Sequence, residues 1–245
     1  MNNSKSTLAG LSFLTESPVW AVCLDAGGVL HLPRWDGLLL LLAELGIERT
    51  EEDFDRAHYH GMAALDDQLR DDPSPDRFGR SQQARREAMV ESLRLPDDPA
   101  RQLREALGEA DRAPDPWRWL RPVRGAAELL EGLRRRGVAV AVVSNADPTL
   151  AERLVVSGFD FAEGSVFASD VVGAAKPEPT IFEAALAWLD MPAAAAIHVG
   201  DSVYFDVEGA RGAGIRGVHY DPLGSCQGGN HAHVGFLADL VALFG

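Results

Sequence analysis

Apolar residues gather in short runs towards both ends of the chain, and each run gives way to small or polar residues. Five of these runs fit buried strands, and they cover residues 19–24, 138–143, 166–168, 195–199 and 215–219. Short runs that are apolar on both faces are typical of strands inside a parallel sheet. Helical periodicity follows or separates the later runs, over residues 126–136, 148–156, 179–189 and 203–212. We therefore predict an α/β fold, a Rossmann-like parallel sheet with helices on both faces.

The middle of the chain follows a different pattern. Between about residues 30 and 120 no β-branched strand pattern appears, and helical periodicity covers residues 35–45, 51–69, 77–93 and 99–107. Clusters of Pro and Asp separate some of these helices, at residues 71–75 and 95–99. We predict that residues 32–120 form a small helical cap domain. It is inserted into a core built from residues 1–31 and 121–245.

Charge and composition exclude several classes of partner. The formal net charge is −14, whereas a nucleic-acid partner requires a basic face, so we expect no nucleic-acid binding. No run approaches the roughly 20 apolar residues of a membrane span, and residues 1–18 lack a signal pattern. The two cysteines, Cys23 and Cys226, form no CxxC pair. We predict a cytoplasmic protein with no membrane partner, as a monomer or homodimer.

Candidate chemical residues follow the predicted strands. Asp25 follows the first strand, Ser144 and Asn145 the second, and Asp201 the fourth, while Lys176 lies in the loop after the third. Ligands of open α/β sheets bind at the carboxyl ends of the strands. We therefore expect these distant segments to converge on one edge of the sheet.

Lysine usage sets one of these residues apart. Of 23 basic residues, only Lys5 and Lys176 are lysines. Lysine carries a compact point charge on a flexible stem, whereas arginine presents a planar fork. The single internal lysine therefore indicates that position 176 requires the geometry of an ammonium group.

Four segments in this order resemble the motifs of the haloacid dehalogenase superfamily. They are Asp25-Ala-Gly-Gly-Val-Leu, Ser144-Asn, Lys176-Pro, and Gly200-Asp-Ser with Asp206. Each motif alone is weak, but four in the same order are specific. The helical insert is similar to the helical cap of this superfamily, in its phosphatase-like branch.

The resemblance implies a Mg²⁺-dependent hydrolase of a small phosphorylated metabolite, with Mg²⁺ as its cofactor. Asp25 would be the nucleophile and form an aspartyl-phosphate. The implied catalytic residues are Asp25, Ser144 and Lys176. The implied phosphate-binding residues are Ala26, Gly27, Ser144, Asn145 and Lys176. The implied metal ligands are Asp25, Gly27 through its carbonyl, Asp201 and Asp206, although Asp206 could instead hold a metal-bound water or orient Lys176.

One position departs from the family pattern. Phosphatases of this family carry an acid/base Asp two residues after the nucleophile, where this chain has Gly27. General acid–base catalysis typically contributes about 10²–10⁴-fold. Three readings stay open: a leaving group that needs little protonation, a proton donor on the cap, or a phospholigand-binding or regulatory protein without turnover. A hydrolytic dehalogenase is a further alternative, which ranks lower because the metal motif at Asp201 is kept.

Substrate contacts are expected from the insert and from the segment after the first motif. Arg34 and Trp35 follow that motif, and His58 and Tyr59 lie together on one predicted helix with His60 as a neighbour. We predict the first four as substrate-contacting candidates.

Histidines also lie near the end of the chain. His219, His231 and His233 follow or end the fifth strand. Because His231 and His233 alone offer too few ligands for a metal site, we interpret these three residues as structural.

Overall fold

The computed structural model describes residues 18–226 and 230–244. The expectation about a signal pattern falls almost entirely on residues 1–17, outside the described part of the chain. None of the helices within the described part has both the length and the apolar content needed to cross a membrane.

Eight strands are present in the described residues. In chain order they are β1 (Ala21–Leu24), β2 (His31–Pro33), β3 (Trp119–Pro122), β4 (Ala139–Ser144), β5 (Val166–Ala168), β6 (Ala196–Gly200), β7 (Arg216–Tyr220) and β8 (Ala232–Val234). Six of them form one sheet in the order β5-β4-β1-β6-β7-β8, and β2 pairs with β3 in a separate small sheet. Every pairing in the six-stranded sheet is parallel, which confirms the predicted fold class.

The α-helices also follow the predicted pattern closely. They are α1 (Asp36–Glu44), α2 (Glu51–Asp71), α3 (Arg77–Ser92), α4 (Asp97–Arg112), α5 (Ala126–Arg135), α6 (Leu150–Val156), α7 (Ser169–Val172), α8 (Pro179–Leu189) and α9 (Gly209–Gly212). Short 3₁₀ helices cover Pro116–Arg118, Ala193–Ala195 and Leu237–Phe244. A π-helix, Val203–Glu208, precedes α9 where the sequence predicts one continuous helix.

The chain divides into two compact units. The first, called the α/β unit, consists of Met1–Leu32 and Leu120–Gly245, and the second, called the helical unit, is Pro33–Trp119. The α/β unit holds the parallel sheet, and the helical unit holds α1 to α4.

The register of the central strands determines which loops are neighbours. Leu24 at the end of β1 pairs with Val142 of β4 on one side and with Val199 of β6 on the other. Since the three strands run parallel, the loops that follow them lie side by side at the carboxyl edge. β4 and β6 flank β1 on opposite sides, so the strand order reverses at β1. In open parallel sheets, ligands bind at the carboxyl ends of the strands at such a switch point.

Small side chains on one face of the sheet allow α8 to pack closely. Residues two apart on a strand share a face, and Ala21 and Cys23 of β1 belong to the same hydrophobic cluster as Ile181, Phe182 and Ala185 of α8. Burial raises the pKa of the Cys23 thiol to about 12, which identifies this residue as an inert core thiol, not a nucleophile.

The helical unit has a hydrophobic core of its own. Its buried members come from all four helices and are Trp35, Leu38, Leu42, Phe54, Ala57, Met89, Val90, Leu93, Ala100, Leu103 and Leu107. The helix α2 begins with a capping box, in which the Thr50 hydroxyl accepts from the Asp53 N–H and the Asp53 carboxylate accepts from the Thr50 N–H. Such reciprocal caps satisfy backbone donors that a helix start otherwise leaves unpaired.

Three strands were not predicted from the sequence. β2, β3 and β8 have three or four residues each and carry polar or proline residues. Their pairing partners stabilise them, and a run of this length has no periodicity to read. β8 extends the main sheet by a sixth strand beside β7.

Candidate active site

Asp25 stands directly after the buried strand β1. Its backbone N–H donates to the Val199 carbonyl at 2.9 Å, which continues the ladder towards β6. The Ala26 N–H donates to Asp25 Oδ1 at 2.7 Å. The Ser144 hydroxyl, at the end of β4, also hydrogen-bonds to the Asp25 carboxylate. Neighbouring strand ends therefore fix the orientation of this carboxylate.

Lys176 connects two of the predicted acidic residues. Its Nζ lies 2.9 Å from Asp25 Oδ1 and 2.6 Å from Asp206 Oδ1, and all three side chains are buried. Burial alone would lower the pKa of Lys176, but the charges of Asp206 and Asp25 outweigh it and raise that pKa. The ammonium group therefore stays charged and is shared between the two carboxylates.

Asn145 holds the backbone of Lys176. Its Nδ2 donates to the Lys176 carbonyl at 3.0 Å, and its Oδ1 accepts from the Lys176 N–H at 2.7 Å. The side-chain amide, predicted as a phosphate ligand, is thus engaged with the main chain 31 residues away. This arrangement makes Asn145 a positioning residue for Lys176.

Asp206 is surrounded by protein donors. Its Oδ1 accepts from Lys176 and lies 2.8 Å from His198 Nε2, and its Oδ2 accepts from the Ser202 N–H at 3.1 Å. Burial alone would raise the pKa of Asp206. The charge of Lys176 and the hydrogen bond from His198 have a larger, opposite effect, so the pKa of Asp206 is lowered. Of the roles suggested for Asp206, this geometry favours orienting Lys176 over direct metal ligation.

His198 is a site residue that the sequence analysis missed. It lies within β6, fully buried, and its ring packs edge-on against Phe182 at 5.0 Å between centroids. The available signal was a single polar residue inside the apolar run Ala-Ile-His-Val-Gly. A buried histidine in a strand requires a partner, and the next acidic residues along the chain are Asp201 and Asp206.

Two glycines allow the acidic residues to approach the loop backbone. Gly28 has a φ of +72°, and a Cβ built there would overlap Asp201 Oδ2. A Cβ at Gly200 would likewise overlap the Asp206 carboxyl group. Glycine at position 28 therefore meets two demands at once, a left-handed backbone and direct contact with a carboxylate.

Three buried carboxylates converge at this edge of the sheet. Asp25, Asp201 and Asp206 can each offer an oxygen such that these oxygens lie within 4.8 Å of one another. Burial raises the pKa of Asp201, and the charges of Asp25 and Asp206 add to this. Burial also raises the pKa of Asp25 despite the charge of Lys176. One ammonium does not neutralise three carboxylates, and an all-oxygen donor set fits Mg²⁺, so these residues fit the predicted cation.

Ala26 and Gly27, two of the predicted phosphate-binding residues, could contact an anion in this loop only through their backbone N–H groups. The Ala26 N–H donates to Asp25, and the Gly28 N–H donates to the His31 carbonyl at 2.9 Å. A backbone contribution to anion binding in this loop would therefore fall to Gly27, which is half-buried.

The four predicted substrate contacts belong to the helical unit. Trp35 is buried in its core, stacks on Phe54 at 5.4 Å, and donates from Nε1 to Asp55 at 2.7 Å. Arg34 is exposed, and its Nε lies 3.0 Å from Asp36. Trp35 thus has a clear packing role, and substrate contact by Arg34 stays a prediction.

His58 and Tyr59 are neighbours on α2, as predicted. The His58 ring is buried and meets Tyr59 at 5.2 Å and Trp119 at 5.8 Å between centroids, both edge-on. Tyr59 and His60 are half-buried. A role for these side chains in substrate binding stays a prediction.

The chain matches a known protein family over most of its length. A model of the haloacid dehalogenase-like hydrolases matches residues 20–214, which include all four motifs. The crystal structure of a HAD phosphatase from Thermococcus onnurineus aligns with 92% of this chain and 97% of its own, with a TM-score of 0.53 and 25% identity.

Curated relatives match a shorter stretch. The mouse (Mus musculus) haloacid dehalogenase-like hydrolase domain-containing protein 3 is 36% identical over 143 residues, which are 55% of this chain and 54% of the relative. Phosphoserine phosphatase of Thermus thermophilus is 39% identical over 133 residues, 49% of this chain and 53% of the relative. The chain thus spans about half the length of these curated relatives.

Replacing Asp201 by Asn is expected to stabilise the protein in EDTA at pH 7. The folded-state pKa of Asp201 is raised, so its contribution to stability is lost as pH rises from about 3.9, the unfolded value, through the folded value. The amide avoids this loss. We therefore expect the free energy of unfolding to rise by more than the ~0.5 kcal/mol within which most surface substitutions fall. Urea denaturation at several pH values measures it.

The control is Asp160→Asn, which neutralises an exposed carboxylate of the same unit. It should change stability by no more than about 0.5 kcal/mol. Replacing EDTA by excess Mg²⁺ should stabilise the wild-type protein and leave Asp201→Asn unaffected, because ligand binding stabilises only the state that binds. A variant that is less stable than wild type in EDTA would contradict the repulsion among these carboxylates.

Proposed function

The chain belongs to the haloacid dehalogenase-like hydrolase family, and we propose that it is a Mg²⁺-dependent phosphatase of small phosphorylated metabolites. The observation that carries the proposal is the buried contact of Lys176 with both Asp25 and Asp206, beside Asp201. The names of a phosphoserine phosphatase and a HAD phosphatase among the similar proteins support the reaction class. The charge of the chain supports a small-molecule partner rather than nucleic acid.

Asp25 is the nucleophile of the proposed reaction. A carboxylate oxygen of Asp25 forms a bond to phosphorus while the bond from phosphorus to the leaving oxygen breaks, which yields an aspartyl-phosphate. Water then attacks this intermediate, releases inorganic phosphate and restores the carboxylate. The donors from Ala26 and Lys176 both reach Oδ1, so the carboxylate is oriented before substrate arrives.

Charge neutralisation is the main contribution of the surrounding residues. The Lys176 ammonium and the Ser144 hydroxyl are placed beside Asp25, where they can donate to the oxygens of an incoming phosphoryl group. Asp25, Asp201 and the Gly27 carbonyl would hold Mg²⁺, which supplies further positive charge for the same oxygens. Asp206, which His198 contacts, holds the Lys176 ammonium, and Asn145 holds the Lys176 backbone.

Gly27 limits which substrates this site can process. It has no side chain to protonate a leaving group or to deprotonate water. Substrates whose leaving group needs no proton, such as acyl and aryl phosphates, avoid the first of these two demands. We therefore propose that such substrates are hydrolysed much faster than alkyl phosphates.

The second candidate function is phospholigand binding without turnover. The same residue, Gly27, favours it, because the binding groups Asp25, Ser144, Lys176 and Asp201 do not depend on the missing acid/base. Metal-independent dehalogenation receives less support. Asp25, Asp201 and Asp206 form a potential cation site, and that reaction needs no cation.

Phosphate release is expected from acetyl phosphate and p-nitrophenyl phosphate in the presence of Mg²⁺. The rate with glycerol 3-phosphate should be lower by about 10²–10⁴-fold, the usual contribution of a general acid–base group. A colorimetric phosphate assay with and without EDTA measures these rates for the acyl, aryl and alkyl substrates.

The matched control is Asp25→Asn, which keeps the shape of the side chain and removes the nucleophile. It should abolish release from every substrate above the rate in buffer. If wild-type protein and Asp25→Asn release phosphate equally across a metabolite panel, the phosphatase proposal fails and ligand binding becomes the better account.

Introducing the missing acid/base is expected to extend the range of substrates. In Gly27→Asp, hydrolysis of glycerol 3-phosphate should rise by up to about 10²–10⁴-fold, because a carboxylic acid can then protonate the alkoxide leaving group. Gly27→Asn is the control of equal size without an acid. An equal rate increase in both variants, or none in Gly27→Asp, would mean that general acid–base chemistry at position 27 is not what limits turnover.

A further inference from the structure

A second group of potential metal ligands lies at the edge of the sheet formed by β7 and β8. It consists of His219, Cys226, His231 and His233, and each offers one ligand atom within 4.8 Å of the others. This cluster shares no residue with the acidic site. Its donors are imidazole nitrogens and one sulfur, a set that suits a softer cation than Mg²⁺.

The fold brings the three histidines together. His219 of β7 pairs with His233 of β8 in the parallel register, so their side chains share one face of the sheet. His231 precedes His233 by two residues, and its ring stacks on the His233 ring with centroids 4.4 Å apart. The His219 ring lies 5.6 Å from His231 and 5.5 Å from His233.

Asp221 holds the loop that carries the cysteine. Its Oδ2 accepts from the Cys226 N–H at 2.8 Å, and its Oδ1 accepts from the Ser225 N–H at 3.1 Å. The Cys226 Sγ lies 3.7 Å from His231 Nε2. Asp221 therefore positions the backbone of Cys226.

The hydrogen bonds of two histidines direct particular nitrogens into the cluster. His219 Nε2 lies 3.3 Å from the Asp201 carbonyl, which can only accept, so Nε2 carries the proton. Its Nδ1 is buried and finds no hydrogen-bond partner within the described residues. His231 Nδ1 lies 3.1 Å from Asn230 Oδ1, which leaves the lone pair of that ring on Nε2, the nitrogen near Cys226.

We propose that His219, Cys226, His231 and His233 form a zinc-type structural site. A Cys–His₃ set supplies the four ligands of a closed tetrahedral centre, with no position left for water or substrate. With Zn–S near 2.3 Å and Zn–N near 2.0–2.1 Å, tetrahedral ligand atoms are separated by about 3.3–3.6 Å. The observed cluster reaches this spacing by a small inward movement of side chains that already face one another.

The partners outside the cluster match those of known metal sites. A ligating histidine usually donates its second N–H to a carbonyl or carboxylate, which fixes its tautomer. His219 does so to the Asp201 backbone and His231 to the Asn230 side chain. The centre would therefore fasten β8 and the Cys226 loop to β7, and reach the loop of Asp201 through one hydrogen bond.

The sequence pattern did not indicate this site. His231 and His233 alone are too few, and Cys226 has no spacing that marks a metal motif. His219 joins the group only because β8, which the sequence did not predict, pairs with β7.

The test is metal analysis of the full chain, using Zn²⁺ alone and then Co²⁺ as a spectroscopic probe. After incubation with Zn²⁺ and desalting, wild-type protein should retain one zinc per chain. The Co²⁺ form should show the intense visible bands of a tetrahedral ion with a thiolate ligand. Loss of even an outer partner weakens metal sites by about 10–100-fold, so Cys226→Ser and His231→Ala should each weaken Zn²⁺ binding by about 100-fold or more.

Two controls separate this site from other sources of zinc. His60→Ala removes a histidine of the helical unit, and Asp201→Asn removes a carboxylate of the acidic site while keeping its carbonyl. Both should retain zinc with wild-type affinity. The proposal is overturned if desalted wild-type protein holds no zinc, if Cys226→Ser and His231→Ala bind as tightly as wild type, or if Asp201→Asn alone loses the metal.

Discussion

The buried ammonium of Lys176 is the interaction on which the arrangement of the α/β unit's active edge depends. It lies between Asp25 and Asp206 where water is excluded, and a buried charge without a partner is strongly destabilising. Asn145, which follows β4, holds the backbone of Lys176. His198, within β6, contacts the Asp206 carboxylate. Removing any one of these groups would leave another charge or donor unpaired, so the site forms as a unit.

The charges of this group of residues are not balanced. Asp201 adds a third carboxylate. Burial, together with repulsion between neighbouring carboxylates, raises the pKa of Asp201 and of Asp25. When ionised, these three carboxylates outnumber the single ammonium of Lys176, and a divalent cation would offset the remaining negative charge. The pKa of Asp206 is lowered by Lys176 and His198, whereas the pKa of Asp201 is raised by its burial and by the charges of Asp25 and Asp206, although Lys176 lowers it in part. The two carboxylates therefore lie in different electrostatic environments.

The sequence alone predicted the elements and site residues that are marked by strong local patterns. Apolar runs located the five longer or clearer strands, and Asp25, Ser144, Lys176 and Asp201 could be placed at one edge because each follows such a run. His198 and β8 escaped because their signals are single residues or three-residue segments, whose structure depends on partners far along the chain. Asn145 was predicted to bind phosphate, yet its amide holds the backbone of Lys176, a contact no local pattern encodes.

We propose that Asp25 and its neighbours bind a phosphoryl group together with Mg²⁺, whatever the rate of turnover. Beryllium fluoride mimics a phosphoryl group on an aspartate, so ¹⁹F NMR tests this claim without a substrate. We predict bound fluoride resonances in wild-type protein only when Mg²⁺ is present, and none in Asp25→Asn. Absence of bound resonances in wild-type protein with Mg²⁺, or the same resonances in Asp25→Asn, would contradict the account.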